Sequence, residues 1–491
     1  MPLHDQFLLS QGPRPHPDDW SVTCTGPWSL ATSPTLPVTP LLNADGACAG
    51  WLLGWVVGPG GELLHERGSL AAAEVVDPQG EVEDRLYRFT GRWACVLLGA
   101  HPRCYLDPAG SLAAVYSAPE QALASTTTAL RFGEPGLADR YEHRTLRASQ
   151  YLPAGLTSDP KVYRLLPNHH LDLVAWEPVR HWPVGPVARV GDDGVEERVQ
   201  AIADSVRHLL RALAARHELV LPLTAGRDSR IIAAAARPVL DRCTFATFAY
   251  SDERSTDVDF AREVARRFDL RLAVLPLGEV DERTARDYLD RTGYDANEGK
   301  AADFDLAARA LPLDQAWVTG FAGEVGRGAY WWQHDLPDRV SPAELLRLIR
   351  LPADATHERA LAVWMDAVPH QDVRELLDLA YLEFRVGCWA APQMYGTAPF
   401  AVNAIAMNQR SVFSAMLELP LEYRAQQRLR PALARVNWPE LAALPYDRAP
   451  GLRGWGAAAR RAAEGARDRL ALRTRAARLL GDASRGMRRS R

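Results

Sequence analysis

Residues 218–238, ELVLPLTAGRDSRIIAAAARP, decide how the rest of the chain is read. The apolar run 219–223 predicts a short buried strand. It breaks into Thr224-Ala225-Gly226-Arg227-Asp228-Ser229, and an alanine-rich helical segment follows until Pro238 stops it. Strand, tight turn and helix together gather backbone N–H groups and a helix N-terminus around an anion. Leu223 leads into that turn, Gly226 permits close backbone approach, and Thr224 and Ser229 add hydroxyls. Asp228 is a candidate magnesium ligand. An ordinary strand-to-helix turn capped by Asp228 or Ser229 uses the same residues.

Outward from that stretch, the pattern is strand–helix alternation. Val195, Val199, Ile202, Val206, Leu209, Leu210 and Leu213 recur at helical spacing, so an amphipathic helix leads into the loop. Beyond it come a predicted strand at 244–250, an acidic turn at 251–257, and a helix with Phe260, Val264, Ala265 and Phe268 on one face. Further strands are predicted at 272–277 and 316–319, and residues 341–450 read as helical. Such alternation implies a parallel sheet with ligands at the carboxyl ends of its strands. Residues 1–185 differ: apolar runs at 50–57, 92–98 and 113–116 between turn signals predict a mainly antiparallel β domain. His169 and His170 fit a strand-end turn with one ring buried and one exposed.

Composition narrows the function classes. A chain of 491 residues, 47% hydrophobic with net charge −4, is globular and long enough for two or three domains. Lys161 and Lys300 are its two lysines, which leaves few candidates for a catalytic amine. Six scattered cysteines without a CxxC pair argue for reduced thiols and against a zinc site. No run approaches the ~18 apolar residues of a membrane helix, and the N-terminus lacks a basic leader, so a cytoplasmic protein is expected. The tail 451–491 carries 12 arginines against Glu464, Asp468 and Asp482, and reads as a solvated helix or flexible end. It has no aromatic residue after Trp455 to stack on bases, so nucleic acid is disfavoured.

TAGRDS resembles the SGGxDS pyrophosphate loop of the ATP-pyrophosphatase superfamily, in its asparagine synthetase and β-lactam synthetase branch. In that branch ATP adenylates a carboxylate and an amine displaces AMP. About ninety residues on, 319–330 (TGFAGEVGRGAY) resembles the family's SGxGxDExxxGY, matching at Gly320, Gly328 and Tyr330, with Glu324 where the second magnesium-binding Asp belongs. The first domain resembles a class II glutaminase through 91–96 and Asp107-Pro108-Ala109-Gly110, but Pro2 stands where the nucleophilic cysteine belongs. The resemblance therefore implies an α/β ATP-binding synthetase domain at 190–450 with a helical lobe, behind a degenerate glutaminase-like α+β domain.

By that resemblance Leu223, Thr224, Ala225, Gly226, Asp228, Ser229 and Gly320 would hold ATP, with Thr247, Phe248 and Ala249 against adenine. Asp228 and Glu324 would hold Mg2+, while Arg227 and Arg327 are suited to neutralising phosphate. Phe321 replaces the family's proton-moving residue and would shape an acyl pocket. Tyr395, expected with Phe321 in the substrate pocket, stands in 395–400 (YGTAPF), which keeps the family's Pro-Phe but loses its Glu and Arg. Glu383 and Arg385 are candidates to take over that role, or a structural ion pair. The family's late lysine has no counterpart, and Arg424, Arg428, Arg430, Arg448 and Arg453 are electrostatic substitutes. The implied activity is an ATP- and Mg-dependent carbon–nitrogen ligase using an amine or ammonia; a homodimer stays open. A catalytically silent nucleotide-binding protein of the same fold, and a PP-loop enzyme acting on RNA, are the alternatives.

Overall fold

The structure, a computed structural model, describes residues 3–77, 81–135, 151–249, 255–278, 280–295, 305–312, 315–369 and 372–446. The acidic turn up to residue 254, Lys300, Arg448, Arg453 and the tail 451–491 lie outside the described residues. The protein is a mixed α/β chain: a β-rich N-terminal region with a six-stranded and a seven-stranded sheet, then a five-stranded parallel sheet with helices.

In the N-terminal region the predicted strands at 50–57 and 92–98 are Cys48–Val57 and Thr90–Leu97, an antiparallel pair with Trp51 opposite Val96. The third begins later than expected, at Val115–Ser117. Its shift has a local cause: the Asp107 carboxylate binds the N–H groups of Ala109, Ser111 and Leu112 and lengthens the preceding turn. Phe7, Leu9, Trp51, Leu53, Val96 and Leu106 fill the layer between the two sheets, each worth about 1.5–3 kcal/mol on burial.

The parallel sheet runs in the order Leu272–Pro276, Cys243–Ala249, Leu219–Pro222, Ala316–Thr319, Val402–Ile405. Side chains alternate as strand geometry requires: Leu219, Leu221 and Leu223 face one core, and Val220 joins Ala246 and Trp317 on the other. Helix Val195–Ala214 buries its predicted stripe in the first of these cores, against Arg227–Ala235 and Leu429–Asn437. The strand Val402–Ile405 corrects the expectation that 341–450 is wholly helical; it pairs in parallel with Ala316–Thr319. Four residues are too few for periodicity to separate a strand from a helix, and the inward Asn403 breaks the apolar pattern.

From the central strand Leu219–Pro222 the chain first builds outward through Cys243–Ala249, then returns to the other flank with Ala316–Thr319. The strand order reverses at that point, so the loops after residues 222 and 319 open a crevice at the carboxyl edge. Asn408, just past the fifth strand, docks the two halves together. Its Nδ2 donates to Asp107 Oδ1 (2.7 Å) and to the Gly91 carbonyl (2.6 Å), and its Oδ1 accepts from Ala109 N (2.8 Å). Among the described residues no helix is long and apolar enough to cross a membrane.

Candidate functional site

The turn after Pro222 is braced from within. Ser229 Oγ accepts from Thr224 N (3.1 Å) and lies 2.8 Å from Thr224 Oγ1, which accepts from Gly226 N (3.2 Å). Ala225 N donates to Asp257 Oδ1 at 2.9 Å. Asp257 belongs to helix Thr256–Phe268, which Ser255 caps by accepting from Val258 N. Helix Arg227–Ala235 starts at Gly226 without a side-chain cap. The expected cap by Asp228 or Ser229 does not form, because Ser229 turns to Thr224 and Asp228 to Arg430. The first-turn N–H groups of that helix are therefore without the side-chain acceptor a cap supplies, and are donors available to an anion.

Arg430, from helix Leu429–Asn437, places Nη1 3.1 and 3.2 Å from the two Asp228 oxygens, while its Nη2 donates to Gln427 Oε1 at 2.7 Å. Arg230 is fully buried beneath the turn, where it donates to the carbonyls of Ala225 (3.1 Å), Leu444 (2.8 Å) and Pro445. Its guanidinium lies 4.2 Å from the Phe260 ring centroid and 4.1 Å from that of Tyr446, and Arg227 lies 5.3 Å from the latter. Residues 444–446 are thus fastened against the turn.

The second loop touches the first. A Cβ built on Gly320 would lie 3.6 Å from the Asp228 carbonyl oxygen. Ala322 then takes a left-handed backbone (φ +72°) and caps the short turn Gly323–Arg327; for alanine that conformation costs about 1–2 kcal/mol. It brings Glu324 beside Asp228. Burial pushes the Glu324 carboxyl up, the Asp228 charge pushes it further, and Arg327 together with a hydrogen bond from Tyr381 opposes both. Glu324 Oε2 and Arg327 Nε are buried with no hydrogen-bond partner. Two hard carboxylates and an orphaned acceptor suit a magnesium ion that takes its remaining ligands from phosphate and water. Among the described residues no group of three or more His, Cys, Asp or Glu side chains is arranged for a metal.

Next to this pair lies a cavity of about 230 Å3, walled by Phe248, Trp317, Phe321 and Met394 with Gln393 and Asn403 as polar points. Pro222, Thr319 and Gly320 also line it, so it opens directly off both strand ends. No charged side chain lines it.

The sequence-based candidates divide accordingly. Ala225, Gly226, Asp228, Ser229, Thr224, Gly320, Phe321, Glu324 and Arg327 meet at the crevice, with Arg227 at its edge and Phe248 in the adjoining cavity. Thr247 is buried and Ala249 spends its carbonyl on Leu277 N; neither lines the cavity. Glu383 corrects an expectation. It is fully buried, and its oxygens accept from Arg180 (2.7 and 2.9 Å), Asn168 (3.0 Å) and Trp364 (2.6 Å), leaving no lone pair set aside for chemistry. Its ion-pair partner is Arg180; Arg385 stacks on Trp389 instead, 3.6 Å from the ring centroid.

Tyr395 is also displaced from the expected substrate pocket. It is buried in the N-terminal core, with its hydroxyl on the Ala113 carbonyl (2.7 Å) and Arg92 over its ring. Of the proposed arginines, Arg424 is buried against Asp378 (2.7 Å) and Arg428 covers Tyr423, which leaves Arg430 as the one that meets Asp228 among the described candidates. Tyr381 and Arg230 escaped the sequence reading because each acts on a stretch other than its own element, whereas Asp257 belongs to the acidic turn read at 251–257. No protein-family profile matches the chain, and comparison with curated proteins finds no match.

Proposed function

We propose that the protein is an ATP- and Mg-dependent ligase that adenylates a carboxylate and transfers the acyl group to an amine or ammonia, on an asparagine-synthetase-like ATP-pyrophosphatase fold with a glutaminase-like N-terminal domain. The observation that carries this reading is the convergence of Asp228 and Glu324 from two neighbouring strand ends at the switch point of a parallel sheet. Asp228 and Glu324 would hold magnesium, which supplies charge neutralisation on the phosphates. The uncapped first turn of helix Arg227–Ala235 would donate to the phosphate oxygens. Arg430 and Arg327 sit where a guanidinium compensates the carboxylates before loading and phosphate charge afterwards. Phe321 cannot move a proton, so it contributes shape. The uncharged, aromatic-walled cavity beside it favours an acyl substrate with an apolar body over a dicarboxylic amino acid.

Pyrophosphate exchange into ATP, run with a panel of aromatic and branched aliphatic acids, tests the reading. Exchange with at least one acid is expected, as is its loss by a factor of about 100 or more in Asp228→Ala and in Glu324→Gln. Exchange that survives both substitutions sinks it. The second reading, a nucleotide-binding protein without ligase chemistry, draws on Phe321 and on the Ala225 N–H already satisfied by Asp257. Magnesium-dependent ATP binding with no exchange for any acid would favour it.

A further inference from the structure

The cavity of about 230 Å3 beside the crevice differs between its mouth and its floor. The mouth lies at the strand ends, where Pro222, Phe248, Thr319, Gly320 and Phe321 are partly exposed. The floor is buried: Gln393, Met394 and Thr397 come from helix Ala391–Thr397, and Asn403 from strand Val402–Ile405. That helix continues a wide, π-type stretch, Tyr381–Ala390, a geometry frequent at functional sites.

The volume sets the size of the occupant. It exceeds about 150 Å3, enough for a benzene ring, and falls below the roughly 300–1,000 Å3 of a complete small-molecule site. One ring fits, with the rest of its ligand left at the mouth. Phe248, Trp317, Phe321 and Met394 offer that ring flat and polarisable walls.

The polar lining sets the chemistry of the occupant. Asn403 donates through Nδ2 to the carbonyls of Met394 (3.2 Å) and Ala401 (3.1 Å), and its Oδ1 accepts from Thr397 Oγ1 (2.9 Å). The Thr319 hydroxyl donates to the Ala404 carbonyl at 3.3 Å. Gln393 is different. Its Nε2 donates to the Trp389 carbonyl at 2.8 Å, which fixes the amide's orientation and leaves Oε1 as an acceptor with no side-chain or backbone donor among the described residues. Gln393 is 7% exposed, and Oε1 is not among the sealed polar atoms, so a ligand in the cavity can reach it. An amide oxygen among aromatic walls discriminates between ligands. One that donates to it gains a hydrogen bond, and one that brings carbon there leaves it unmatched.

We infer that this cavity seats the ring of a hydroxyaryl carboxylic acid, its hydroxyl donating to Gln393 Oε1 and its carboxylate left at the mouth toward Asp228 and Glu324. The carboxylate end rests on the ligase reading; the ring subsite rests on the cavity alone. Gln393 then selects phenolic acids over phenyl ones.

Equilibrium dialysis of the full chain without ATP tests the subsite apart from any ligase chemistry. The probes are 4-ethylphenol and 1-ethyl-4-fluorobenzene, nearly equal in shape, of which only the first can donate. One-site binding of the phenol is expected, with the fluoro compound weaker by about tenfold. Gln393→Met, close in volume and without the acceptor, should erase that preference. Saturating magnesium-ATP should leave the phenol bound. A phenol no tighter than its twin, or a preference that survives Gln393→Met, would overturn the proposal. So would displacement of the phenol by ATP, which would make the cavity the adenine seat. Pyrophosphate exchange separates this inference from the reading beneath it. Phenol-selective binding without exchange for 4-hydroxyphenylpropanoate keeps the subsite and removes the ligase. Exchange equally fast with phenylpropanoate keeps the ligase and removes the subsite. If Gln393→Met melts below the parent chain by circular dichroism, the phenol preference and the ATP competition on the parent decide.

Discussion

At the residue scale, the buried pair Arg180–Glu383 shows how a carboxylate can resemble a catalytic group in sequence and serve the fold instead. Glu383 is enclosed by Arg180, Asn168 and Trp364, drawn from three separate stretches of chain. Taking both charges out of water is costly, and their attraction offsets it only while every partner is present. Glu383→Ala should therefore destabilise the protein by about 3–5 kcal/mol, because it strands a buried guanidinium. The double change Arg180→Met with Glu383→Leu should recover most of that loss, since it removes the uncompensated charge as well. Urea unfolding of the two variants measures both, and a double variant no more stable than the single one would show that packing dominates. Asp228 and Glu324 behave in the opposite way: like charges are brought together and Glu324 Oε2 is left without a partner. A fold gains nothing from that arrangement alone, which is why the proposed function seats a cation there.

At the element scale, helix Ala391–Thr397 illustrates what a sequence motif can hide. Gly396 lies in it because the Tyr288 ring passes where a side chain would be: a built Cβ would sit 2.2 Å from Tyr288 Cε2. Gly396→Ala should cost about 1–3 kcal/mol through overpacking, read as a lower urea midpoint. Gly320 offers the contrast. Its nearest neighbours to a built Cβ are 3.5 Å away, an ordinary contact, so Gly320→Ala should leave stability unchanged. A loss of pyrophosphate exchange in that variant would then report close approach of a nucleotide to the backbone. The same contrast explains which parts of the chain were legible. Strand 219–222, helix Val195–Ala214 and the strands at 243–249, 272–276 and 316–319 were readable because each has its own period and its own punctuation. The Asp228–Glu324 meeting was readable only through the resemblance of the two turns, in order, to the family's paired motifs. The strand Val402–Ile405, the inward turn of Tyr395 and the arrival of Arg430 at Asp228 were not, since each is set by a partner far away in sequence.

At the scale of the whole molecule, buried histidines govern the response to acid. His4, His65, His169, His170 and His181 are all held below their ordinary pKa of 6.5, first of all by burial. The unfolded chain takes up these protons as pH falls through 6.5, and the folded chain only at lower pH. Stability is thus fully present above 6.5 and is lost as pH drops toward the folded values, by at most about 1.4 kcal/mol per pH unit for each histidine. Asp5, Asp107, Asp295, Asp378 and Glu324 work against this, because burial raises them and the folded state binds their protons first. His181 isolates the histidine part. Tyr87 spends its hydroxyl hydrogen on the Leu106 carbonyl, so His181 Nε2 must donate to Tyr87, leaving Nδ1 unprotonated, buried and without a partner. A proton arriving at Nδ1 would meet Arg410, His169, His170 and Arg180, all of which disfavour it, in a pocket shared with Tyr87 and Tyr105. Urea unfolding between about pH 7.5 and about pH 5.5 should show stability falling with acid in the parent chain. His181→Phe keeps a ring beside Tyr87, Tyr105 and His170 but cannot titrate, so its slope should be shallower by up to one proton's worth. An unchanged slope in that variant would mean that His181 is not among the groups that titrate differently in the folded and unfolded chains.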